Sequence, residues 1–528
     1  MTNPLLITGA SDGVGLALAR SLCSQGRALV LTGRRPFAEI LDPPFSSSSY
    51  YIEADLNRSD APAFIDRALS ERGVSGLSAI VHNAAIGWTG APGVQSSASV
   101  QEMLTVNLNV PIALTHQLRH RLESNRLTER QRPRVAFISS IAAAFPCPDY
   151  AVYAATKAAL EGFARALRIE WSNQVDVQVI VLGPVRTDIH SKAGMDLQAI
   201  GWDRFPSPES AAAGVSRALK SRRSVATIGW TNRWLRELGQ RSDRWIDRAI
   251  LRDRRRRSTI PPAARFPGRC VITGAADGIG RALALRFVQA GARVIGIDRD
   301  RQRAAATLEN LREVAAEHGA PLPSFLFADL ASSADREHLL DELANAEDSE
   351  GPVIDVFIHN AGVNHSGRFE TIPMSTHQRV LDVNLAAPLT LTAALLDRRL
   401  IAPGGALAFL SSLSHYVGYP GSAVYAATKD GVASYARSLA LALASENIHV
   451  LTIFPGPVRT EQARLNSPDN RREHRRMDPA VVADRIFRAI RARRSILIPG
   501  LGHQAAAKLA SWAPGLADRA MKSLFLRS

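Results

Sequence analysis

The sequence predicts an α/β protein made of two doubly wound parallel sheets in tandem, each with helices on both faces. One observation is a duplication: YAATK occurs at Tyr153–Lys157 and again at Tyr425–Lys429, and a Gly-rich turn precedes each copy, TGASDGVG from Thr8 and TGAADGIG from Thr273. A second is the alternation of short Val/Ile/Leu-rich runs with helical stretches, which is typical of parallel strands covered on both faces. The chain therefore consists of two related units.

Each unit is large enough to bury a full hydrophobic core. In this chain of 528 residues, we predict a first domain over 1–230 (unit one), a connecting segment over 231–268 and a second domain over 269–528 (unit two). Six strands are expected in each unit, in matching order. In unit one they are PLLITGA, ALVLTG, YYIEADL, LSAIVHNAA, RVAFISS and VQVIVLG; in unit two they are RCVITGA, RVIGID, SFLFADL, VFIHNAG, ALAFLSS and HVLTIFPG.

The connecting segment begins as an Arg-rich amphipathic helix, because Trp234, Leu238, Trp245 and Ala249 recur at near-helical spacing with arginines between them. The PPAARFPG that follows cannot continue a helix and is predicted to be the linker itself. The C-terminal tail, AAKLASWAPGLADRAMKSLFLRS, is a weaker counterpart of the amphipathic helix. We expect both to pack on their own domain or across an interface, and binding to a membrane surface is the alternative.

Composition narrows the function classes. The net charge of +15 comes mostly from arginine, and without a nucleic-acid-binding motif it indicates a biased composition rather than a nucleic-acid partner. Cys23, Cys147 and Cys270 show no CxxC spacing, which argues against a disulfide framework and a metal site. No signal peptide is recognisable, and no apolar run reaches the roughly 18 residues that span a bilayer. We expect a cytoplasmic protein, with peripheral membrane contact as the alternative.

The Gly-rich turns predict two dinucleotide sites. A glycine allows the chain to turn sharply from strand into helix and allows backbone N–H groups to approach a pyrophosphate, which the helix N-terminus attracts. The spacing is G-x-x-x-G-x-G in both units, after the first strand and before a helix. The glycines predicted to bind the cofactor are Gly9, Gly13 and Gly15 in unit one and Gly274, Gly278 and Gly280 in unit two.

The end of the second strand predicts different cofactors for the two units, because this position contacts the adenosine ribose. Unit two has Asp298, which can accept hydrogen bonds from both ribose hydroxyls and would repel a 2′-phosphate, so NAD is expected. Unit one has Gly33 at that place, followed by Arg34 and Arg35, which form a fork for a 2′-phosphate. NADP is therefore expected in unit one, with Ser11 as an extra donor.

The two YxxxK motifs predict acid–base chemistry. Four residues apart on a helix, Tyr153 and Lys157 share a face, and so do Tyr425 and Lys429. A phenol titrates near 10, and an adjacent ammonium favours the phenolate, so we expect a lowered tyrosine pKa. The pair would then act as general acid in carbonyl reduction or as general base in alcohol oxidation, with hydride moving to or from a nicotinamide.

Both units resemble short-chain dehydrogenase/reductases of the single-domain, Rossmann-like type. The resemblance covers nearly the whole chain outside the connecting segment and tail. It rests on TGxxxGxG, HNAA and HNAG, VNLNVP and VNLAAP, ISS and LSS, YAATK, and LGPVRT and FPGPVRT. Two features depart from the family pattern: HNAA ends in Ala rather than Gly, and Leu182 replaces a proline. Neither removes a reacting group, so both units are expected to be active.

The resemblance also implies roles for further residues. The family serine lies 13 residues before the tyrosine, which selects Ser140 and Ser412 as partners of the substrate oxygen. Asn107 and Asn384 would hold a water that links the lysine to solvent. The remaining implied positions are Asn83 and Asn360, which would steady the central strand, Thr187 and Thr460 at the nicotinamide carboxamide, and Asp55 and Asp329 beside the adenine.

We expect a bifunctional NAD(P)-dependent oxidoreductase that acts on small-molecule alcohols and ketones. Opposed cofactors would permit oxidation in one half and reduction in the other, giving hydroxyl epimerisation or two-step tailoring; both halves working in the same direction is a second interpretation. A third is one active half with a structural pseudo-dimer partner, and a fourth is a nucleotide-sensing regulator. Family members usually pair through the YxxxK helix, so an intramolecular pseudo-dimer is expected, with further homo-oligomerisation an open alternative.

Overall fold

The computed structural model describes residues 3–40, 49–123, 132–241, 266–345, 353–466, 470–471 and 473–525. Within these ranges the strands form two seven-stranded sheets, both entirely parallel. The order is 3-2-1-4-5-6-7 in the first sheet, and the second sheet repeats it. The predicted fold class, two Rossmann-like doubly wound sheets, is confirmed.

The elements of unit one follow the predicted alternation. Its strands are β1 (Leu5–Thr8), β2 (Leu29–Gly33), β3 (Tyr50–Glu53), β4 (Ala79–His82), β5 (Arg134–Ser140), β6 (Asp176–Leu182) and β7 (Val225–Thr227). Its helices are α1 (Gly13–Cys23), α2 (Ala61–Glu71), α3 (Ser97–Leu104), α4 (Val110–Gln117), α5 (Arg119–Glu123), α6 (Ala151–Glu170), α7 (Ile189–Lys192) and α8 (Pro208–Lys220), followed by α9 (Trp230–Arg241).

Unit two repeats the pattern. Its strands are β8 (Arg269–Thr273), β9 (Arg293–Asp298), β10 (Ser324–Phe327), β11 (Ile354–His359), β12 (Ile401–Leu410), β13 (His449–Ile453) and β14 (Ile496–Leu497). Its helices are α10 (Gly278–Val288), α11 (Arg301–His318), α12 (Ser333–Ala344), α13 (Met374–Leu381), α14 (Ala387–Asp397), α15 (Ala423–Ala442), α16 (Glu461–Leu465), α17 (Pro479–Arg491), α18 (Leu501–Trp512) and α19 (Pro514–Phe525).

Burial explains the strand-and-helix pattern. The central strands β1 and β8 are buried along their whole length, as expected of strands covered by helices on both faces. A π-turn over 105–109 joins α3 to α4, and another over 382–386 joins α13 to α14. The continuous helix Met374–Asp397 is long and apolar enough to cross a membrane, but 78% of its apolar window is buried inside the protein, so it serves here as a core helix.

The two units pack together through α6 and α15, the helices that begin with the YxxxK motifs. Across this interface Arg165 bonds to the carboxylate of Asp430 at 2.8 Å. The indole of Trp171, which is fully buried, donates to Glu370 at 2.9 Å. One chain thus contains a pseudo-dimer, and its two halves share a continuous hydrophobic core.

The amphipathic segments pack against the units and leave tryptophans exposed. Helix α9 lies on unit one, where Gly239 faces Phe145, and the tail helix α19 lies across the interface, where Asp518 pairs with Arg168 at 3.2 Å. Exposed aromatic side chains on these helices and on α18 are Trp230, Trp234 and Trp512. Trp245, Ala249 and most of the PPAARFPG linker lie outside the described residues.

Candidate active sites

The Gly-rich turns have the backbone geometry that a pyrophosphate requires. Gly9 and Gly13 have φ of +65° and +52°, where only glycine is unstrained, and α1 begins at Gly13. A Cβ on Gly15 would lie 2.0 Å from the carbonyl oxygen of Gly9. The same crowding occurs in unit two, where a Cβ on Gly280 would lie 1.9 Å from the Gly274 oxygen. Each turn is therefore packed tightly against its helix, with the helix N-terminus facing the carboxyl edge of the sheet.

Two asparagines brace these turns. Asn83 donates from Nδ2 to the carbonyl oxygens of Thr8 and Gly9, both at 3.0 Å. Asn360 makes the same two bonds in unit two, to Thr273 at 2.9 Å and to Gly274 at 3.1 Å. The end of the fourth strand is thereby tied to the turn at the point where the strand order reverses, which is where open α/β sheets bind ligands.

Threonines after the sixth strand face the same turns. A Cβ on Gly13 would lie 3.1 Å from Cγ2 of Thr187, and a Cβ on Gly278 would lie 3.0 Å from Cγ2 of Thr460. A side chain on either glycine would therefore narrow the gap between turn and threonine. The two implied nicotinamide contacts thus lie at the same edge as the Gly-rich turns.

At the ribose end of unit two, Asp298 is held by the backbone. Its carboxylate accepts hydrogen bonds from the N–H groups of Ala276 (3.0 Å), Arg299 (2.8 Å) and Asp300 (3.1 Å). The side chain is consequently fixed beside the Gly-rich turn. Arg299 binds the Asp298 carboxylate through its backbone N–H group and not through its guanidinium.

At the corresponding place in unit one, there is no room for a carboxylate. A Cβ on Gly33 would lie 2.5 Å from Oγ of Ser11 and 2.6 Å from the hydroxyl of Tyr51. Arg34 is exposed, whereas Arg35 bonds to Asp12 at 3.0 Å. Of the two arginines predicted to bind a 2′-phosphate, Arg35 is therefore already paired with Asp12.

Asp55 and Asp329 differ in their surroundings. Asp55 is exposed and accepts from the N–H of Asn57 at 3.0 Å. Asp329 forms an ion pair with Arg379 at 2.9 Å, which together with backbone hydrogen bonding outweighs its burial and lowers its pKa. These equivalent positions thus differ in electrostatic environment.

The structure brings the four sequence-predicted residues of unit one together. The Ser140 hydroxyl lies close enough to the Tyr153 phenol to favour its ionised form, and Nζ of Lys157 lies 5.6 Å from the centroid of the Tyr153 ring. This Nζ donates to the carbonyl oxygen of Ile138 at 3.1 Å. Buried Asn107 donates to Thr156 at 3.2 Å, and thus ties the π-turn to α6.

Unit two repeats this arrangement closely. The Ser412 hydroxyl likewise favours the ionised form of the Tyr425 phenol. Nζ of Lys429 lies 5.5 Å from the centroid of the Tyr425 ring and 2.9 Å from the carbonyl oxygen of Leu410. Asn384 exchanges hydrogen bonds of 2.8 Å with the backbone of Val363, just as Asn107 does with Ile86 at 2.8 and 2.9 Å. The asparagine amides are therefore held by protein groups on both sides.

The family profile described as "short chain dehydrogenase" matches the sequence twice, over residues 3–198 and 269–471, together more than half of the chain. The chain belongs to the short chain dehydrogenase family. The two-unit organisation is thus supported independently by the comparison, and the family recognised from the motifs is confirmed. Like other members, the protein is an NAD(P)-dependent oxidoreductase acting on alcohol or ketone groups of small molecules.

Curated relatives match the length of a single unit. Dehydrogenase/reductase SDR family member 4 of Bos taurus is 31% identical over 207 residues, which is 38% of this chain and 70% of the bovine protein. The 3-oxoacyl-[acyl-carrier-protein] reductase FabG of Thermotoga maritima is 30% identical over 204 residues, which is 39% of this chain and 79% of the Thermotoga protein. The solved structure of an N-terminal ketoreductase from a macrolactin assembly line shares the fold over 94% of this chain and 87% of the ketoreductase chain. The two are 12% identical in sequence, and the TM-score is 0.59.

The tyrosine pKa moves in the direction opposite to the one predicted from sequence. Burial raises the pKa of Tyr153 and of Tyr425 to about 12, against an opposing effect of the neighbouring serine hydroxyl. Burial also lowers the pKa of Lys157 and of Lys429 to about 8. The ammonium is directed at a strand carbonyl rather than at the phenol oxygen, and desolvation therefore dominates. The dehydrogenase thus holds its tyrosines protonated.

Tyr150 lies beside the YxxxK tyrosine of unit one. Its ring stacks on that of Tyr153, with centroids 4.2 Å apart and an interplanar angle of 20°. In unit two, Ser422 holds the same sequence position, three residues before Tyr425, and bonds to the carbonyl oxygen of His365 at 3.3 Å. A comparison of the two YAATK motifs with the residues just before them could have found this difference.

Proposed function

We propose that both units are active and that the chain is a bifunctional oxidoreductase, with NADP in unit one and NAD in unit two. One half oxidises an alcohol and the other reduces a ketone. The observation that carries this proposal is the presence of two matching Ser/Tyr/Lys/Asn sets whose ribose ends differ. A silent half would have no reason to keep the buried lysine hydrogen-bonded to the strand carbonyl beside its tyrosine.

The bound dinucleotide supplies or accepts the hydride, and the residues of the chain handle the proton and the substrate oxygen. In reduction, Ser140 or Ser412 would hydrogen-bond the substrate oxygen, and the adjacent tyrosine would donate its hydroxyl proton to the oxygen as it becomes an alcohol. In oxidation the tyrosine would act as the phenolate and take the hydroxyl proton of the alcohol, while the oxidised dinucleotide would accept the hydride. Burial holds the phenols in the protonated form, which is the form that donates a proton in reduction.

The cofactor assignment is supported by space and charge at the end of the second strand. Asp298 places a carboxylate next to the turn of unit two, where it would repel a 2′-phosphate and accept from ribose hydroxyls. Gly33 leaves no room for such a group, and unit one has Arg34 and Arg35 instead. A phosphate would have to draw Arg35 away from Asp12, so the NADP preference of unit one should be the weaker of the two.

The test is conversion of a single enantiomer of a secondary alcohol. We would incubate (R)-1-phenylethanol with the chain, NAD⁺ and NADPH and follow acetophenone and the (S)-alcohol by chiral chromatography. The proposal predicts ketone with NAD⁺ alone and the (S)-alcohol when both cofactors are present, provided the two halves deliver hydride to opposite faces. If acetophenone forms with NAD⁺ but no (S)-alcohol appears when NADPH is added, the two halves do not act in sequence. The proposal of opposed half-reactions then fails, and the two units would be parallel dehydrogenases.

A second candidate is one active dehydrogenase half with a structural pseudo-dimer partner. The extensive packing of α6 on α15 favours it, because such packing would stabilise either half without chemistry in the other. We retain the boundaries 1–230, 231–268 and 269–528 as part of the proposal, and we place the enzyme in the cytoplasm. Exposed Trp230, Trp234 and Trp512 leave contact with a membrane surface as the alternative.

A further inference from the structure

Arg165 on α6 of unit one reaches across the interface into a loop of unit two. It donates to the carbonyl oxygens of Ser414 (3.2 Å) and His415 (2.8 Å) and to the carboxylate of Asp430 (2.8 Å). Ser414 and His415 follow the proposed catalytic serine by two and three residues, and Asp430 comes directly after the proposed catalytic lysine. One guanidinium therefore joins the two segments that hold the reacting groups of unit two.

Glu170, at the end of the same helix, holds a second pair of segments. Its buried carboxylate accepts from the N–H of Phe369 at 2.9 Å and from the N–H of Gly421 at 2.7 Å, one on each oxygen. The carbonyl oxygen of Gly421 in turn accepts from the N–H of Gly367 at 2.9 Å. Gly421 lies four residues before Tyr425, so a side chain of unit one fixes the chain that enters the catalytic helix of unit two.

The Glu170 arrangement has no counterpart in the opposite direction. Ala442 holds the position of Glu170, 17 residues after the catalytic tyrosine, and has no acceptor. Pro92 holds the position of Phe369, nine residues after the asparagine of the HNA motif, and has no N–H to donate. Both partners of the contact are absent together. The Arg165 contact, by contrast, is reciprocated: Arg437 holds the equivalent position, 12 residues after Tyr425, and donates to the carbonyl oxygen of Ala144 at 2.9 Å. The neighbouring Ser438 hydroxyl accepts from the N–H of Cys147 at 3.1 Å, so the one-sided contact is that of Glu170.

We propose that Arg165 and Glu170 of unit one are positioning residues for unit two, which is complete only when α6 of unit one lies against it. Glu170 fixes the loops 366–369 and 419–422, and Arg165 fixes the loop after Ser412. This proposal rests on the proposed activity of unit two. It predicts a one-sided dependence, in which changes at Glu170 alter the chemistry of unit two while the chemistry of unit one is preserved.

Glu170→Gln is the sharpest variant because it preserves shape and removes one acceptor. A carboxylate accepts from both N–H groups, whereas the amide has one oxygen and one NH₂ group, so one backbone donor would face another donor. Protonation of Glu170 weakens the same arrangement, and burial raises its pKa to about 7. The charged groups that face it are Arg368 and Glu370, and His377 contacts the Phe369 carbonyl oxygen at 3.0 Å.

The experiment measures unit two in isolation, in a full chain carrying Tyr153→Phe. With NAD⁺ and 1-phenylethanol as probes, Glu170→Gln is expected to raise the KM for the alcohol about 3- to 10-fold, with a smaller loss in kcat. The native side chain should show a KM that worsens as pH falls below about 7, and the variant should not. Arg165→Lys, which keeps the charge but shortens the reach, should give a partial effect. The matched control is Arg168→Ala on the same helix, because Arg168 pairs with Asp518 on the tail. Its KM for the alcohol should stay within about twofold of the native value.

Hydrogen exchange of the backbone amides provides a readout that needs no substrate. Glu170→Gln should accelerate exchange in peptides covering 366–372 and 417–422, and should leave the equivalent peptides 89–95 and 145–150 of unit one unchanged. Unchanged exchange and unchanged KM would overturn the positioning role. If the Tyr153→Phe chain shows no turnover with the probe, the proposed activity of unit two fails for that substrate, and the exchange result alone then decides the role of Glu170.

Discussion

The two units share one catalytic arrangement but differ in three places around it. At the ribose end, unit two has Asp298 where unit one has Gly33. Beside the Tyr153 phenol, unit one has Tyr150, whose sequence position is held by Ser422 in unit two. At the interface, Glu170 of unit one supports unit two, whereas Ala442 offers nothing in return. The two units therefore keep the same proposed catalytic set and differ at the ribose end, beside the YxxxK tyrosine and in the Glu170 contact.

The largest expected effect is the loss of either tyrosine hydroxyl. Tyr153→Phe should reduce turnover with NADPH, and Tyr425→Phe turnover with NADH, each by about 10²- to 10⁴-fold, since each removes the proposed general acid. Initial rates of acetophenone reduction with each cofactor would measure this. If one variant abolishes turnover with both NADPH and NADH, or if one variant leaves turnover with both cofactors unchanged, the proposal of two active units is wrong for this substrate. One half would then be a scaffold.

Glu170 should also make the stability of the chain depend on pH. Burial raises its pKa from 4.5 to about 7 in the folded protein, so the folded state binds the proton more tightly than the unfolded state. The stabilisation is fully present below pH 4.5 and is lost as pH rises through about 7. The loss is at most about 3 kcal/mol, since one pKa unit corresponds to about 1.4 kcal/mol.

Comparing Glu170→Gln with the native chain isolates this contribution. Urea midpoints of both proteins at pH 5 and pH 8 should show a smaller fall with pH in the variant. Buried His82 and His359, whose pKa values burial lowers to about 3, remain in both proteins and cancel from the difference. Parallel pH dependence in the two proteins would mean that Glu170 titrates near its ordinary value.

The cofactor preferences provide the next test. Asp298→Ser should weaken NADH binding to unit two about 10- to 100-fold, because a charge-assisted hydrogen bond contributes about 1.5–3 kcal/mol. Arg35→Ala should weaken NADPH binding to unit one by less, since Arg35 is shared with Asp12. Fluorescence titration of each reduced cofactor measures both. If the two native units bind NADPH with equal affinity, the proposed difference in cofactor preference between them is wrong.

The sequence predicted the parts of the fold and site that depend on local pattern. Six strands per sheet follow from runs of apolar residues, and the turns and the Tyr/Lys pairs follow from fixed spacing; Ser140 and Ser412 came from the family resemblance. Strands β7 and β14 were not predicted because three and two residues are too few to show a period. Glu170 and Arg165 could not be identified as positioning residues, because their partners lie in the other unit and depend on how the halves dock.

The pKa direction and the pairing of Arg35 could not be predicted for a related reason. Sequence spacing places Lys157 on the same helix face as Tyr153, but the strand carbonyl of Ile138 takes the ammonium hydrogen bond. Arg35 follows the second strand as expected, yet Asp12 in the turn binds it. Both outcomes depend on distances between elements that are remote in sequence.

The smallest expected effect concerns the substrate end, where Tyr150 and Ser422 differ. A stacked aromatic pair contributes about 0.5–1.5 kcal/mol beyond its area, so Tyr150→Ser should cost unit one a few-fold in kcat/KM for a small aryl ketone while admitting bulkier ketones. The kcat/KM ratio of acetophenone to benzophenone with NADPH would measure this shift. Ser422→Tyr is the reciprocal change and should narrow unit two, although Ser422 also bonds to the backbone of His365 and its loss adds a second, loop-loosening effect. If Tyr150→Ser leaves the ratio unchanged, the stacked ring supports Tyr153 without shaping the substrate pocket.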